Sequence, residues 1–218
     1  MCEVAYAAAR RDPAVPADIV DFLWFVYNAD TPLIKTKLNL WYVLKLRNNG
    51  GVVNVSKAEL IDKASPMCWH KLYRREFIQQ HNIQFNDVYA LDDGVFVYSA
   101  LLLAENILSV KDRLMYYRRG AGVMATLDYS RAVRSTVSNW RALRARFADT
   151  PYISIVEPRS LRTVCNFTRS EADYAYVRDE VFPELGAYDM AGTAADMARD
   201  MRGLTYAEFL AKYYDITA

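Results

Sequence analysis

Residues 66–120 read PMCWHKLYRREFIQQHNIQFNDVYALDDGVFVYSALLLAENILSVKDRLMYYRRG, and this stretch contains the most informative local patterns of the chain. It joins an aromatic and basic turn, an acidic pair before an apolar run, and a tyrosine-rich segment that ends in two arginines. Apolar residues occupy both helical faces of the run after Asp92 and Asp93, which predicts a buried helix that begins at this pair. The segment 107–117 then predicts a strand.

The acidic pair has two interpretations. A carboxylate at a helix start caps free backbone N–H groups and favours the positive end of the helix dipole, which contributes about 1 kcal/mol. The same position keeps a carboxylate ionised, as a general base requires. On the local pattern alone, capping is the commoner role.

Four short motifs occur in a fixed order in this part of the chain. They are W-H-K-L-Y-R-R from Trp69, N-I-Q-F from Asn82, L-D-D-G-V-F from Leu91 and Y-Y-R from Tyr116. In order and spacing they resemble the second half of glycosyltransferase family 2 enzymes, which commonly read W-N-K-L-Y-R-R, N-I-x-F, E-D-D-x-x-F and Y-Y-R. An early helix followed by A-D-I-V and an aromatic strand is also similar to the family, so the resemblance covers residues 1–126.

The resemblance implies a GT-A nucleotide-sugar fold and an inverting transfer that builds a bacterial surface polysaccharide or glycan. In the family, an aspartate of the acidic motif takes the proton of the acceptor hydroxyl. That oxygen attacks the anomeric carbon while a nucleoside diphosphate departs. Asp92 matches this catalytic base and Asp93 matches the acidic residue after it, while Leu91 stands where the family commonly has glutamate.

Three more residues are candidates for substrate binding. The resemblance puts Trp69 and Lys71 near the acceptor pocket, where they would stack on a sugar face and bind hydroxyls. The structural alternatives are that Trp69 anchors the core and that Lys71 forms an ion pair with a nearby carboxylate. Arg118 would lie at the edge of the site, where an arginine binds a diphosphate or phosphate bidentately. His70 replaces the family's asparagine, and a lone histidine is more often structural than a metal ligand.

The sequence contains neither a D-x-D motif nor a glycine-rich strand-to-helix turn. In the family, D-x-D holds the divalent metal that neutralises the diphosphate. This motif comes directly before the helix that corresponds to the early helix predicted in this chain. We therefore expect no cofactor in this chain and no transfer by it alone, with Mn²⁺ or Mg²⁺ bound only when a donor-binding half is supplied. One functional hypothesis is the acceptor-side portion of an inverting glycosyltransferase that uses a nucleotide sugar and a glycan or lipid-linked acceptor. The other is a noncatalytic glycan-binding or protein-interaction module derived from such an enzyme.

Composition excludes several other classes of protein. A net charge of +1 on 218 residues does not favour a nucleic-acid partner. The three cysteines Cys2, Cys68 and Cys165 are far apart, which indicates neither a disulfide framework nor a zinc cluster and fits a reducing compartment. The longest apolar run, 95–104, is too short to cross a bilayer, and the N-terminus lacks a signal-peptide pattern. We expect a cytoplasmic protein, with the inner face of the membrane as the alternative.

The chain divides into two predicted parts within the α/β class. Residues 1–126 form the acceptor-side domain with a partial GT-A-like sheet, and residues 127–218 form a largely helical C-terminal appendage. The appendage includes an amphipathic helix over 128–147 whose basic face suits either solvent or anionic lipid headgroups. A sheet that lacks half its usual strands exposes an edge, which favours a homo-oligomer or pairing with an N-terminal half.

Overall fold

The computed structural model describes residues 2–10, 16–28, 51–119, 126–184, 196, 199–200 and 203–214. The fold is α/β, and the chain forms two compact units. The first unit is Met1–Asn86 with Asp93–Leu127, and the second is Asp87–Asp92 with Asp128–Ala218. The helix predicted around 38–47 lies outside the described residues, as does most of the one predicted over 191–201.

The first unit contains, within its described residues, a four-stranded mixed sheet. Its strands are β1 (Ile19–Asn28), β2 (Gly51–Val52), β3 (Lys71–Tyr73) and β4 (Ile107–Arg119). The order is β2-β4-β1-β3, in which β1 and β4 are parallel and the two short outer strands run antiparallel to their neighbours. The helices of this unit are α1 (Cys2–Ala9), α2 (Lys57–Lys63), α3 (Arg75–Gln80) and α4 (Asp93–Leu103).

The central strands form because their β-branched and aromatic residues suit a buried sheet. Ile19 is fully buried and pairs with Ile107. Helix α1 packs on these strands, since Ala5 joins Val20 and Phe22 in one apolar cluster.

Helix α4 is buried over nearly its whole length, as its two apolar faces predict. Val97, Ala100 and Leu102 have no exposed surface. Its last carbonyls need partners, and the ammonium of Lys57 donates to the carbonyls of Leu101 and Ala104.

In its described residues, the second unit consists of helices joined by loops. Its helices are α5 (Tyr129–Phe147), α6 (Ile153–Phe167), α7 (Glu171–Tyr176) and α8 (Tyr206–Tyr214). A π-helical turn, Val177–Val181, and a 3-10 turn, Phe182–Glu184, follow α7. Helix α5 begins as predicted, because Oδ1 of Asp128 accepts a hydrogen bond from the N–H of Arg131 at 3.1 Å.

Two elements differ from the sequence prediction. The turn predicted over 66–73 ends instead in β3, because Lys71–Tyr73 pair with residues 19–21 of β1. The helix predicted from Leu161 begins at Ile153 and contains Pro158, because packing of the buried Val156 and Leu161 overrides the helix-breaking tendency of proline.

Candidate functional site

Lys71 is the centre of a buried polar cluster in the first unit. It lies on β3 directly opposite Asp21 of β1, and it is only 7% exposed. Its Nζ donates to the carbonyls of Ser65 and Met67, each at 3.0 Å, and lies 2.9 Å from Nε2 of His70. An ammonium has three hydrogens, so these three acceptors hold it in one position.

His70 connects the ammonium of Lys71 to the carboxylate of Asp21. Its Nδ1 lies 2.6 Å from Oδ1 of Asp21. A neutral imidazole with its proton on Nδ1 satisfies both contacts, because Nδ1 then donates to the carboxylate and Nε2 accepts from the ammonium. The sequence prediction that His70 is hydrogen-bonded agrees with this arrangement, which we call the Asp21–His70–Lys71 network.

Burial and neighbouring charges shift the pKa values of all three members. Burial lowers the pKa of Lys71 to about 8, against the opposing effects of Asp21, Asp93 and Cys68. Burial and the nearby ammonium lower the pKa of His70, while Asp21 acts in the other direction. Burial raises the pKa of Asp21, but Lys71 and His70 more than offset this and hold it below its usual value. At neutral pH the network therefore carries one positive and one negative charge around a neutral ring.

The acidic pair lies where the chain passes from the second unit to the first. Asp92 is the last residue of the segment 87–92 and is exposed, whereas Asp93 is the first residue of α4 and is half-buried. The carboxylate of Asp93 is near enough to Lys71 to raise its pKa. Within the first unit, the structure thus brings Asp93 together with Lys71.

Tyr73 belongs to the same cluster, although the sequence prediction did not include it. Burial raises the pKa of its hydroxyl, and Cys68, Asp21 and Asp93 act in the same direction. Among the described residues, its hydroxyl has no hydrogen-bond partner. The spacing from Lys71 was the signal that could have identified it, because residues two apart on a strand share one face.

Trp69 is half-buried in an aromatic cluster. Its ring stacks on Tyr117, with centroids 5.1 Å apart and an interplanar angle of 2°, and meets Trp24 edge to face at 5.2 Å. Both candidate roles for Trp69 stay open, because its stacking on Tyr117 anchors the ring while the residue is only half-buried.

Arg118 is exposed on β4, where it pairs with Tyr27 of β1. Successive side chains on a strand point to opposite faces, so Arg118 lies on the face opposite to Tyr117. Since Tyr117 stacks on Trp69, the structure does not bring Arg118 together with Trp69. Its role in binding stays a prediction.

The described part of the chain contains neither a cluster of metal ligands nor a helix that could span a membrane. No three histidine, cysteine or acidic side chains in those ranges are grouped so that they could hold a metal ion. None of the helices found there combines the length and apolar character needed to span a bilayer.

Comparison with known proteins found solved structures of low sequence identity. No protein-family model matches the sequence, and no curated protein matches it. A crystal structure of S. aureus TarS 1–349, a glycosyltransferase, is similar with a TM-score of 0.48 and 13% identity, covering 83% of this chain and 46% of that chain. A second TarS structure, in complex with UDP-GlcNAc, has a TM-score of 0.43 and 14% identity, covering 91% of this chain and 60% of that one. The chain thus spans about half the length of the structures it resembles.

Proposed function

We propose that this chain is the acceptor-side portion of an inverting glycosyltransferase, which adds a sugar from a nucleotide donor to a glycan or a lipid-linked acceptor. The observation that carries the proposal is the meeting of two motifs in the first unit. Lys71 and Tyr73 come from the motif that begins at Trp69, and Asp93 comes from the acidic motif. Their side chains are close enough to influence one another's charge. These are the motifs in which the sequence resembles glycosyltransferase family 2.

The acidic pair would supply the general base. The carboxylate takes the acceptor's hydroxyl proton as the oxygen forms its bond to the anomeric carbon, and the diphosphate leaves with the electrons of the broken C–O bond. Positioned bases contribute about 10²- to 10⁴-fold to such rates. The resemblance assigns the base to Asp92, whose exposed side chain is accessible to an acceptor. The effect of the Asp93 charge on Lys71 is a specific reason to test Asp93 for the same role.

Lys71 would act through its charge. Its three hydrogens already have acceptors, so donation to a substrate hydroxyl would break one of these contacts. Its positive charge would instead attract the carboxylate of Asp93. Trp69, which is only half-buried, would stack on an acceptor sugar. Arg118 would bind a phosphate group separately from these residues.

The donor site would belong to a donor-binding half outside these residues, together with its Mn²⁺ or Mg²⁺. The support is the absence of any D-x-D in the sequence, since a diphosphate needs a metal and its carboxylates. The cytoplasm is the proposed compartment, because three cysteines that lie far apart in the sequence suit its reducing conditions.

The test compares Asp92→Asn and Asp93→Asn in a protein joined to the donor-binding half of a family 2 enzyme. UDP-GlcNAc is the first donor, and acceptors come from a glycan array. The variant that lacks the base should lose at least about 100-fold in rate and keep the wild-type circular dichroism spectrum. Asp87→Asn is the matched control, because Asp87 is an exposed acid of the same segment. Full turnover from both variants would overturn the role of the pair.

The second candidate function is a noncatalytic glycan-binding module. The absence of D-x-D favours it, as does the cluster of Trp69 with Tyr117 and Trp24. A glycan array probed with the isolated chain separates the two functions. A purely binding module would keep its glycan affinity in Asp92→Asn and in Asp93→Asn, lose it in Trp69→Ala, and gain no transfer when joined to a donor half.

A further inference from the structure

Leu91, the residue immediately before the acidic pair, has a left-handed backbone. Its φ is +62°, a region in which the Cβ of a bulky residue crowds the neighbouring carbonyl. Asn82 also has a positive φ, at +47°, but asparagine is one of the side chains that tolerate this conformation. Leucine is not, so the conformation of Leu91 requires contacts that hold it.

Two buried side chains of α5 provide such contacts. Nδ2 of Asn139 donates to the carbonyl of Leu91 at 2.8 Å, and the N–H of Ala90 donates to Oγ of Ser135 at 3.4 Å. Asn139 is 7% exposed and Ser135 is 4% exposed. They are four residues apart and therefore share one face of the helix. All four residues belong to the second unit.

A third contact ties the same segment to the start of α5. The hydroxyl of Tyr89 accepts a hydrogen bond from the N–H of Asp128 at 3.3 Å. The guanidinium of Arg131 lies over the ring of Tyr89, 3.8 Å from its centroid. Consecutive residues 89, 90 and 91 are thus each held by α5 or its cap.

We propose that Asn139 is a positioning residue for Asp92, the member of the acidic pair that belongs to the second unit. Its amide fixes the carbonyl of Leu91, holds the left-handed turn there, and so sets the direction in which the chain continues through Asp92. The hydrogen bond is short and buried, and loss of the donor would leave the carbonyl of Leu91 without this partner in a conformation that leucine disfavours. The effect on transfer rests on the proposed function, whereas the effect on the backbone does not.

Glycine at position 91 separates positioning from ordinary packing. Glycine adopts positive φ without steric hindrance, so a chain with Leu91→Gly needs the Asn139 amide less. If Asn139 served only to fill the core around α5, Asn139→Ala would have the same effect whichever residue stood at position 91. Leu91→Ala is the matched control, because alanine also lacks the large side chain but keeps the Cβ that disfavours the conformation.

The test uses the full chain and follows the backbone amide of Asp92 by its NMR resonance and that of Ala90, which donates to Ser135, by hydrogen exchange. Asn139→Ala should shift the Asp92 resonance and raise the Ala90 exchange rate at least about tenfold, since a lost buried hydrogen bond corresponds to a change of this size. Adding Leu91→Gly should return both values toward wild type, and adding Leu91→Ala should not. Thr136→Val should leave them unchanged, because the Thr136 hydroxyl donates to the carbonyl of Val133 within α5.

Two outcomes would overturn the positioning role. One is an Asp92 amide that does not respond to Asn139→Ala, and the other is equal rescue by glycine and alanine at position 91. Asn139→Ser, which keeps a polar side chain too short to reach Leu91, takes the place of Asn139→Ala if that variant does not fold.

The joined protein then measures the consequence for transfer. Asn139→Ala should lower kcat at least about tenfold with little change in KM, and Leu91→Gly should restore it. An unchanged kcat beside a shifted amide would overturn the catalytic consequence. Full transfer without either carboxylate of the pair would refute the proposed function and leave the amide result intact.

Discussion

Replacing Lys71 by methionine should change how the free energy of unfolding depends on pH. Burial lowers the pKa of Lys71 from 10.5 to about 8 in the folded chain, whereas the unfolded chain has the ordinary value. Since one pKa unit corresponds to about 1.4 kcal/mol, keeping this lysine charged costs the folded state about 3 kcal/mol at neutral pH.

The sign follows from the protons bound by each state. Between about pH 8 and about pH 10.5 the unfolded chain binds more protons at Lys71 than the folded chain, so stability rises with pH in this window. Below about pH 8, Lys71 is protonated in both states, and the folded state bears the full cost of about 3 kcal/mol. From about pH 7.5 to about pH 9.5, the wild type should gain about 2 kcal/mol relative to Lys71→Met.

The assay is urea denaturation of both proteins at these two pH values. Lys111→Met is the matched control, because the side chain of Lys111 is exposed on β4, and it should keep the pH dependence of the wild type. If Lys71→Met and the wild type respond equally to pH, the ammonium is not buried in the way the network requires, and the reasoning fails.

Three further predictions test other contacts. Lys71→Met should raise the pKa of His70, because the ammonium of Lys71 and burial both lower that pKa. Proton NMR of the imidazole measures the pKa, and an unchanged titration would contradict the network. A double-mutant cycle of Trp69→Ala and Tyr117→Ala should give a coupling of about 1 kcal/mol in chemical denaturation, and a coupling near zero would remove the stacked contact from the account. Asp18→Ala should lower the free energy of unfolding by about 3 kcal/mol, because this buried carboxylate accepts hydrogen bonds from an arginine and two backbone N–H groups. A loss well under about 1 kcal/mol in urea denaturation would contradict this account of Asp18.

Elements whose residues act locally were predictable from the sequence. The apolar faces of α4 predicted its burial, and the amphipathic pattern over 128–147 predicted α5. Strand β3 was not predictable, because Lys71–Tyr73 are extended through pairing with a strand some 50 residues earlier. Such pairing leaves no periodic signal in three residues.

The candidate site was predictable only in part, for the same reason. Lys71 and the acidic pair were identified from motifs, but the partner of His70 depends on the register that puts Asp21 opposite Lys71. Asn139 lies 48 residues after Leu91, and nothing local in α5 marks it. Arg118 was expected at the edge of the site, and strand alternation puts it on the face of the sheet opposite to Tyr117.

The anchoring of residues 89–91 by α5 limits how parts of this protein can be exchanged. A chimera that keeps residues 1–126 and replaces the helices after them would retain the acidic pair but lose the contacts from Asp128, Ser135 and Asn139. Such a hybrid would contain the residues of the acidic motif but not the hydrogen bonds that hold the preceding segment in place. A recombination that respects this dependence must carry α5 together with the segment 87–92.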